Sequence, residues 1–205
     1  MMSYIPFLIA ALALAITPGP GITYVVARTV SGGRAEGLAS CMGTAIGGLL
    51  HVIASSLGVS VLIAKSAIFF SLLKYLGAAY LIYLGIRLLL SKGPDALIEP
   101  SNPQGPRRAL MEGIVVEALN VKTALFFLAF LPQFVRPDAP LITQLAVLGI
   151  ICVTLNTVAD ALAVIGAHHL LDSSVARAAK ARWMTRTSGV TMLGLGAYLA
   201  SAQRN

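Results

Sequence analysis

Three small sets of polar residues stand inside otherwise apolar stretches of this chain, and their types limit the chemistry open to them. The sharpest is Asp160, with Asn156 four residues before it on the same helical face and Thr157 alongside. A carboxyl at the centre of a bilayer costs roughly 2.5–3.5 kcal/mol on translocon scales, so such residues face a bundle interior and serve proton or substrate pathways. The plainer role is a hydrogen bond between helices. Glu117 and Asn120 form the second set, three apart and on one face, whereas helical spacing puts Lys122 on another. Glu117 is read as a second proton or ammonium site, or as a residue near the interface.

Thr17-Pro18-Gly19-Pro20-Gly21 is the third set. Its prolines carry no amide hydrogen and push Thr17 and Gly19 away from helical dihedrals, so a helix must break there. Backbone groups freed inside a membrane are tolerated only where they are buried in protein or line a polar cavity. Amides opening a half-helix near Gly21 would suit a carboxylate, and carbonyls freed near Ile16 and Thr17 an ammonium. A kink that only tunes packing is the alternative. His51 continues the stripe of Gly43 and Gly47 at the next fourth position and is read as a hydrogen-bonded histidine or a proton relay. His168 and His169 are read as interfacial. Cys41 and Cys152 could serve thiol-redox or metal-ion handling, but neither has a CxxC partner, and a buried free cysteine is often only a small hydrophobe. No metal-binding motif is read, no cofactor is expected, and nothing points to an enzyme.

The elements that must hold these residues are membrane helices. Hydrophobic residues make up 57% of the 205 and charged residues 11%, against about 25% charged in a soluble domain, and mean hydropathy is +0.84. Apolar spans run at about residues 4–27, 38–63, 67–91, 110–133, 141–169 and 187–202. The expected fold is all-α and integral to the membrane, with six transmembrane helices and the first broken at Thr17–Gly21. It forms a single membrane domain over 1–205, with one half over 1–91, a turn-rich linker over 92–108 and a second half over 109–205. Three spans per half reverse the second half against the first, so two three-helix inverted repeats are expected. The first span lacks a basic stretch before it and regains apolar character after its break, so it is read as retained rather than as a signal peptide.

The net charge of +7 comes from 15 Lys and Arg against 8 Asp and Glu. These charges fall in short loops, which makes them topology signals and argues against nucleic acid as a partner. Arg28, Arg34, Arg87, Lys92, Arg107, Arg108, Arg177, Lys180, Arg182 and Arg186 fall on one side, against Lys65, Arg136 and Arg204 on the other. The positive-inside rule puts the first group in the cytoplasm and both termini outside. Lys74 is read as snorkelling from the outer interface or lining the pathway. Gly43 and Gly47, spaced GxxxG, are read as a packing face that leaves a homo-oligomer possible.

A resemblance runs through nearly the whole chain. Thr17-Pro18-Gly19-Pro20, Ala27-Arg28, Gly32-Gly33-Arg34-Ala35, Gly37-Leu38, Gly77-Ala78-Ala79-Tyr80-Leu81, Tyr83-Leu84-Gly85, Ala124-Leu125-Phe126-Phe127-Leu128 and Leu131-Pro132-Gln133-Phe134 together resemble the LysE/RhtB family of amino-acid exporters. Two positions depart from it. Gly21 stands where the family usually has Asn, and Asn120-Val121-Lys122 stands for Asn-Pro-Lys, which leaves open whether the fourth helix is broken. The resemblance implies export of an amino acid from the cytoplasm across the lipid bilayer of a bacterial inner membrane, and proton binding at Asp160, competing with substrate or altering which side is open, makes protons the expected counter-ion. It also implies that Asn120 sits beside the first break.

Overall fold

The computed structural model describes residues 4–65, 67–90, 102–136, 138–167 and 174–201. Every regular element among them is helical: α1 (Ile5–Ile16), α2 (Pro20–Lys65), α3 (Ala67–Leu90), α4 (Pro106–Ala118), α5 (Val121–Leu125), α6 (Leu141–Ala167) and α7 (Ser174–Ser201). A π-turn, Phe126–Phe130, and a 3-10 turn, Leu131–Phe134, extend α5. Most of the expected linker, with Lys92, and also His168, His169 and Arg204, lie outside the described residues.

α2 is folded back on itself at Gly33, whose φ of 75° belongs to the left-handed region that favours glycine. On a straight helix Gly21 and Thr44 would stand ~35 Å apart. Yet a Cβ on Gly21 would lie 3.8 Å from Thr44 Cγ2, and Val25 packs with Cys41. Residues 20–32 and 34–65 therefore form a helical hairpin. This corrects the loop expected between residues 27 and 38. The hydroxyls of Thr29 and Ser31 bond back to Val25 O (2.7 Å) and Ala27 O (2.9 Å), so these polar residues stay helical up to a single glycine. The last apolar span, expected over about 187–202, falls on Gly189–Ser201, the apolar part of a longer helix. Its helix begins at Ser174, because Ala, Arg and Lys are good helix formers and polarity marks an environment rather than an end.

The fourth span is broken despite having no proline at 121. α4 ends at Ala118, Asn120 is extended (φ −73°, ψ 100°) and the two pieces meet at 43°. Farther on, Leu131 N–H reaches back five residues to Phe126 O. Pro132 then offers no amide, so α-helical bonding ends in the 3-10 turn.

Among the described residues, Pro20–Gly58 and Leu141–Gly166 are long and apolar enough to cross a bilayer, and the bent pair Pro106–Ala118 with Val121–Phe134 makes a third such element. Within Pro20–Gly58 the arm over 34–58, ~37 Å long, has that length alone. Leu8, Leu12 and Ile16 of α1, Met42, Leu49 and Ile53 of α2, and Ile150, Leu162 and Ile165 of α6 are exposed. An all-helical chain with large aliphatic side chains over its outer surface is suited to lipid rather than water.

Lipid gives helices no hydrophobic reason to associate, so close approach must supply dispersion instead. Glycines allow it. A Cβ on Gly43 would collide with the carbonyl of Leu110, one on Gly47 would stand 2.7 Å from Ile114 O, and one on Gly113 would stand 2.8 Å from Ser40 O. The GxxxG face read as open to a homo-oligomer is thus occupied by α4 of the same chain. Gly85 and Gly189 do the same for α3 and α7, each so close that a Cβ would lie 2.8 or 2.9 Å from the other's carbonyl oxygen.

An aromatic column marks one end of the molecule. Phe130 and Phe134 pack on Tyr198 at 5.5 and 6.2 Å, and Phe134 meets Phe7 at 5.6 Å. The first and last described helices thus share that end. Beside it the exposed Arg136 guanidinium donates to both carboxylate oxygens of Asp138 (3.0 and 2.6 Å), and this bonding holds Asp138 below the usual carboxylate range. At the opposite end is the Gly33 turn, where Glu36 Oε1 accepts from the amides of Gln104 (2.8 Å) and Gly105 (2.7 Å). The turn is thereby fastened to the start of α4.

Replacing Gly43 with Ala should therefore overpack α2 against α4 by ~1–3 kcal/mol. In detergent, Gly43→Ala is expected to unfold at a lower temperature, and Gly58→Ala, where a Cβ would meet nothing within 4 Å, at the parent's. Equal midpoints for all three proteins would show that α4 moves aside without cost.

Candidate functional site

The first break opens at Thr17, whose ψ of 118° leaves the helix. It closes at Pro20, the first residue of α2, where a missing amide N–H is tolerated. That is narrower than the expected Thr17–Gly21. Thr17 keeps both its N–H (3.0 Å) and its hydroxyl (2.6 Å) on Ala13 O, and Thr23 N–H reaches Gly19 O at 3.0 Å. Carbonyls near the break need other donors. Lys122 supplies them: its Nζ donates to Leu14 O (3.2 Å) and Thr17 O (2.9 Å). Gly19 makes room, since a Cβ there would lie 2.8 Å from that nitrogen.

The second break is satisfied from within and from behind. Asn120 Oδ1 accepts from Lys122 N–H (3.1 Å), capping α5, while its Nδ2 donates to Glu117 Oε2 (2.9 Å). The hydroxyl of Thr123 donates to Glu117 Oε1 at 2.7 Å. Glu117 O accepts from Asn120 N–H (3.0 Å) and from His51 Nε2 (2.8 Å), which fixes the proton of that imidazole on Nε2. The Glu117 carboxylate also presses on the first break, because a Cβ on Gly21 would lie 2.5 Å from its Oε2. Two interrupted helices therefore meet, each with a charged group from the second against the backbone of the first.

α6 closes the third side. Asp160 is buried, with Oδ2 2.9 Å from Thr44 Oγ1. The same hydroxyl lies 2.9 Å from Cys41 O. One hydroxyl hydrogen thus stands between two acceptors whenever Asp160 is ionised. Asn156 Nδ2 donates to Cys152 O (2.9 Å) and Thr157 Oγ1 to Val153 O (2.8 Å), both within their own helix.

Between the three lies a cavity of about 20 Å³, room for one water and not for an amino acid. Of the residues singled out from sequence, Thr17, Gly21, Glu117, Asn120, Asn156 and Asp160 line it. Pro18, Gly19 and Pro20 shape the break without lining it, and His51 stands behind Glu117, 6.0 Å from the ring of Phe127. Lys74 is away from the cavity, its Nζ 4.5 Å from the ring centre of Tyr75.

Four further polar lining residues were not read as site residues from sequence: Thr44, Lys122, Thr123 and, except as a neighbour of Asp160, Thr157. Lys122 corrects an expectation. Helical phase set it on a different face from Glu117, but the phase is lost where the chain is extended at Asn120. Thr44 could have been found, as a hydroxyl in an apolar span one turn past Ser40. Glu36 was missed altogether, although it is buried with its Oε2 3.8 Å from Arg28 Nη1. A single acid between the Gly32-Gly33 pair and Gly37, in a basic turn, was the available signal.

The cysteines sit in different surroundings. Cys41 packs with Val25 and Val164, its thiol donating to Thr157 O at 3.6 Å, while Cys152 lies in the aromatic core. Both are free thiols, and no group of three or more His, Cys, Asp or Glu able to hold a metal occurs among the described residues.

A family profile described as LysE type translocator matches residues 12–203. A membrane protein of Vibrio cholerae is 29% identical over 98% of this chain and 97% of its own. The homoserine/homoserine lactone efflux protein of Salmonella typhimurium is 28% identical over 96% and 95%. The membrane protein YrhP of Bacillus subtilis is 35% identical over 73% and 74%. No solved structure matches the chain.

Asn120 caps α5 and bonds Glu117 at once, so Asn120→Ala is expected to cost ~1–2 kcal/mol, the range for loss of an N-cap. Chemical unfolding in detergent reads this directly. A change within error would mean that water replaces the amide at both contacts.

Proposed function

Because the chain belongs to the LysE type translocator family, we propose that it is a secondary transporter exporting an amino acid or a close derivative from the cytoplasm in exchange for protons. One observation carries the reading: two helix breaks meet at a polar cavity inside an otherwise apolar helical protein. Discontinuous helices placed this way supply opposite partial charges for a substrate's charged ends. Gly21 and Ile22, which open the resumed helix and line the cavity, suit the substrate carboxylate. The carbonyls of Leu14 and Thr17 suit its ammonium. The homoserine/homoserine lactone efflux relatives make such an amine the natural first probe.

The architecture proposed with this function is one membrane domain of six spans, as two inverted halves over 1–91 and 109–205 with a linker over 92–108. The corresponding breaks near 17–19 and 119–120 support it, as does the shared end of α1 and α7 at Phe134. Positive-inside counting puts the Gly33 end in the cytoplasm, both termini outside and the protein in a bacterial inner membrane.

Asp160 is the proposed coupling carboxyl. When it carries a proton, Oδ2–H can donate to Thr44 Oγ1, which then donates to Cys41 O, and every group has a partner. When it is ionised, the two acceptors compete for one hydrogen. Proton loss thus turns the Thr44 hydroxyl from Cys41 O to the Asp160 carboxylate, a two-state element between α2 and α6 that a pH gradient can bias.

Vesicles loaded with labelled homoserine and given an imposed pH gradient test this. Wild-type protein is expected to release the label faster with the gradient than without it, and Asp160→Asn to lose that acceleration while still inserting. Equal gradient dependence in both proteins would make Asp160 structural. Retention of homoserine and of every amino acid in a labelled mixture would sink the substrate class.

A further inference from the structure

The closed cavity is filled by the protein's own charges. The Lys122 ammonium sits on Leu14 O and Thr17 O, the two carbonyls suited to a substrate ammonium. The Glu117 carboxylate presses on Gly21, where the resumed helix would receive a substrate carboxylate. With about 20 Å³ left, an amino acid fits only after lining side chains move, and its ammonium reaches these two carbonyls only in place of Lys122. Its hold is suited to release: the stem is flexible, and both acceptors are backbone carbonyls that an incoming ammonium satisfies equally well.

From the seat of the Lys122 ammonium on the carbonyls freed by the first break, we infer that Lys122 is a tethered stand-in for the substrate's amino group, which lets the empty transporter close and return. This rests on the transport reading above and adds a step to it. An exporter must cross twice per cycle, once loaded and once empty. On the loaded crossing the substrate ammonium satisfies the carbonyls. On the empty crossing they would face a closed, water-poor site without a donor, which a membrane interior does not tolerate. Lys122 removes that penalty. It is a positioning residue for the empty crossing and is not required when substrate occupies the site.

Net efflux needs the empty crossing; exchange of labelled for unlabelled substrate across the vesicle membrane does not. In vesicles with labelled homoserine, Lys122→Met is expected to lower net efflux about tenfold or more, as suits loss of charge-assisted hydrogen bonds from one state of a two-state equilibrium. Homoserine exchange should stay within about threefold of wild type, the difference being carried by one crossing alone. Gly19→Ala provides a second reading with the charge kept, because its Cβ would stand 2.8 Å from Lys122 Nζ and displace only the end of a flexible side chain. It is expected to depress efflux more than exchange, in the same sense. Should both variants lose exchange and efflux equally, or lose neither, the stand-in role is overturned while wild-type exchange leaves the transport reading intact. Wild-type protein that neither releases nor exchanges homoserine removes both.

Discussion

A helix interrupted inside lipid has backbone carbonyls that nothing in the solvent can satisfy, and the arrangement at the centre of this protein follows from that constraint. Leu14 O and Thr17 O are met by a lysine more than a hundred residues away. That contact ties the first interrupted helix to the second. The second then needs its own compensation, and Asn120, Thr123 and His51 provide it by bonding Glu117 and the chain around it. Neither break is affordable alone.

Crossing two breaks requires neighbouring helices to come very near, and glycine is placed where they do. Gly43, Gly47 and Gly113 bring α2 to backbone distance from α4, and Gly85 with Gly189 does the same for α3 and α7. These pairs meet backbone to backbone, whereas the contacts across the polar cavity, which α1, α2, α4, α5 and α6 all line, run through side chains. The contrast matters for motion. Surfaces locked by backbone contact move as units, whereas the Thr44–Asp160 contact and the reach of Lys122 are side-chain bonds that can be made and broken as those units rock. At the far end Glu36, held by the amides of Gln104 and Gly105, adds a polar fastening of the hairpin turn to α4.

Much of this was legible because membranes simplify the reading of a sequence. Long apolar runs had to be helices, Pro18 and Pro20 had to interrupt one, and ionisable residues at depth had to face inward; Glu117 and Asp160 do line the cavity. What failed did so for stated physical reasons. The turn at Gly33 was read as a loop because its polar residues look like one, yet their hydroxyls bond back along the helix. The fourth helix had no proline to announce its break, and without the break helical phase misplaced Lys122. The GxxxG face was recognised as a packing face, but sequence does not say which helix fills it. Thr44 could be seen as a hydroxyl in an apolar span, but its importance lies in its partner, Asp160, which is 116 residues away.

The charges around the cavity narrow how coupling can work. Glu117 and Asp160 are two formal negatives against the single positive of Lys122, so the site is one charge short of neutral. A buried net charge is expensive, and one proton removes it. A substrate carrying net charge +1 would replace that proton one for one, and exchange would follow from neutrality alone. A zwitterion brings no net charge, so neutrality by itself would keep the proton in place throughout. For a zwitterion, the proposed exchange would have to arise from geometry instead, from which side-chain contacts the bound ammonium and carboxylate replace and how those contacts bias Asp160 between its protonated and ionised forms.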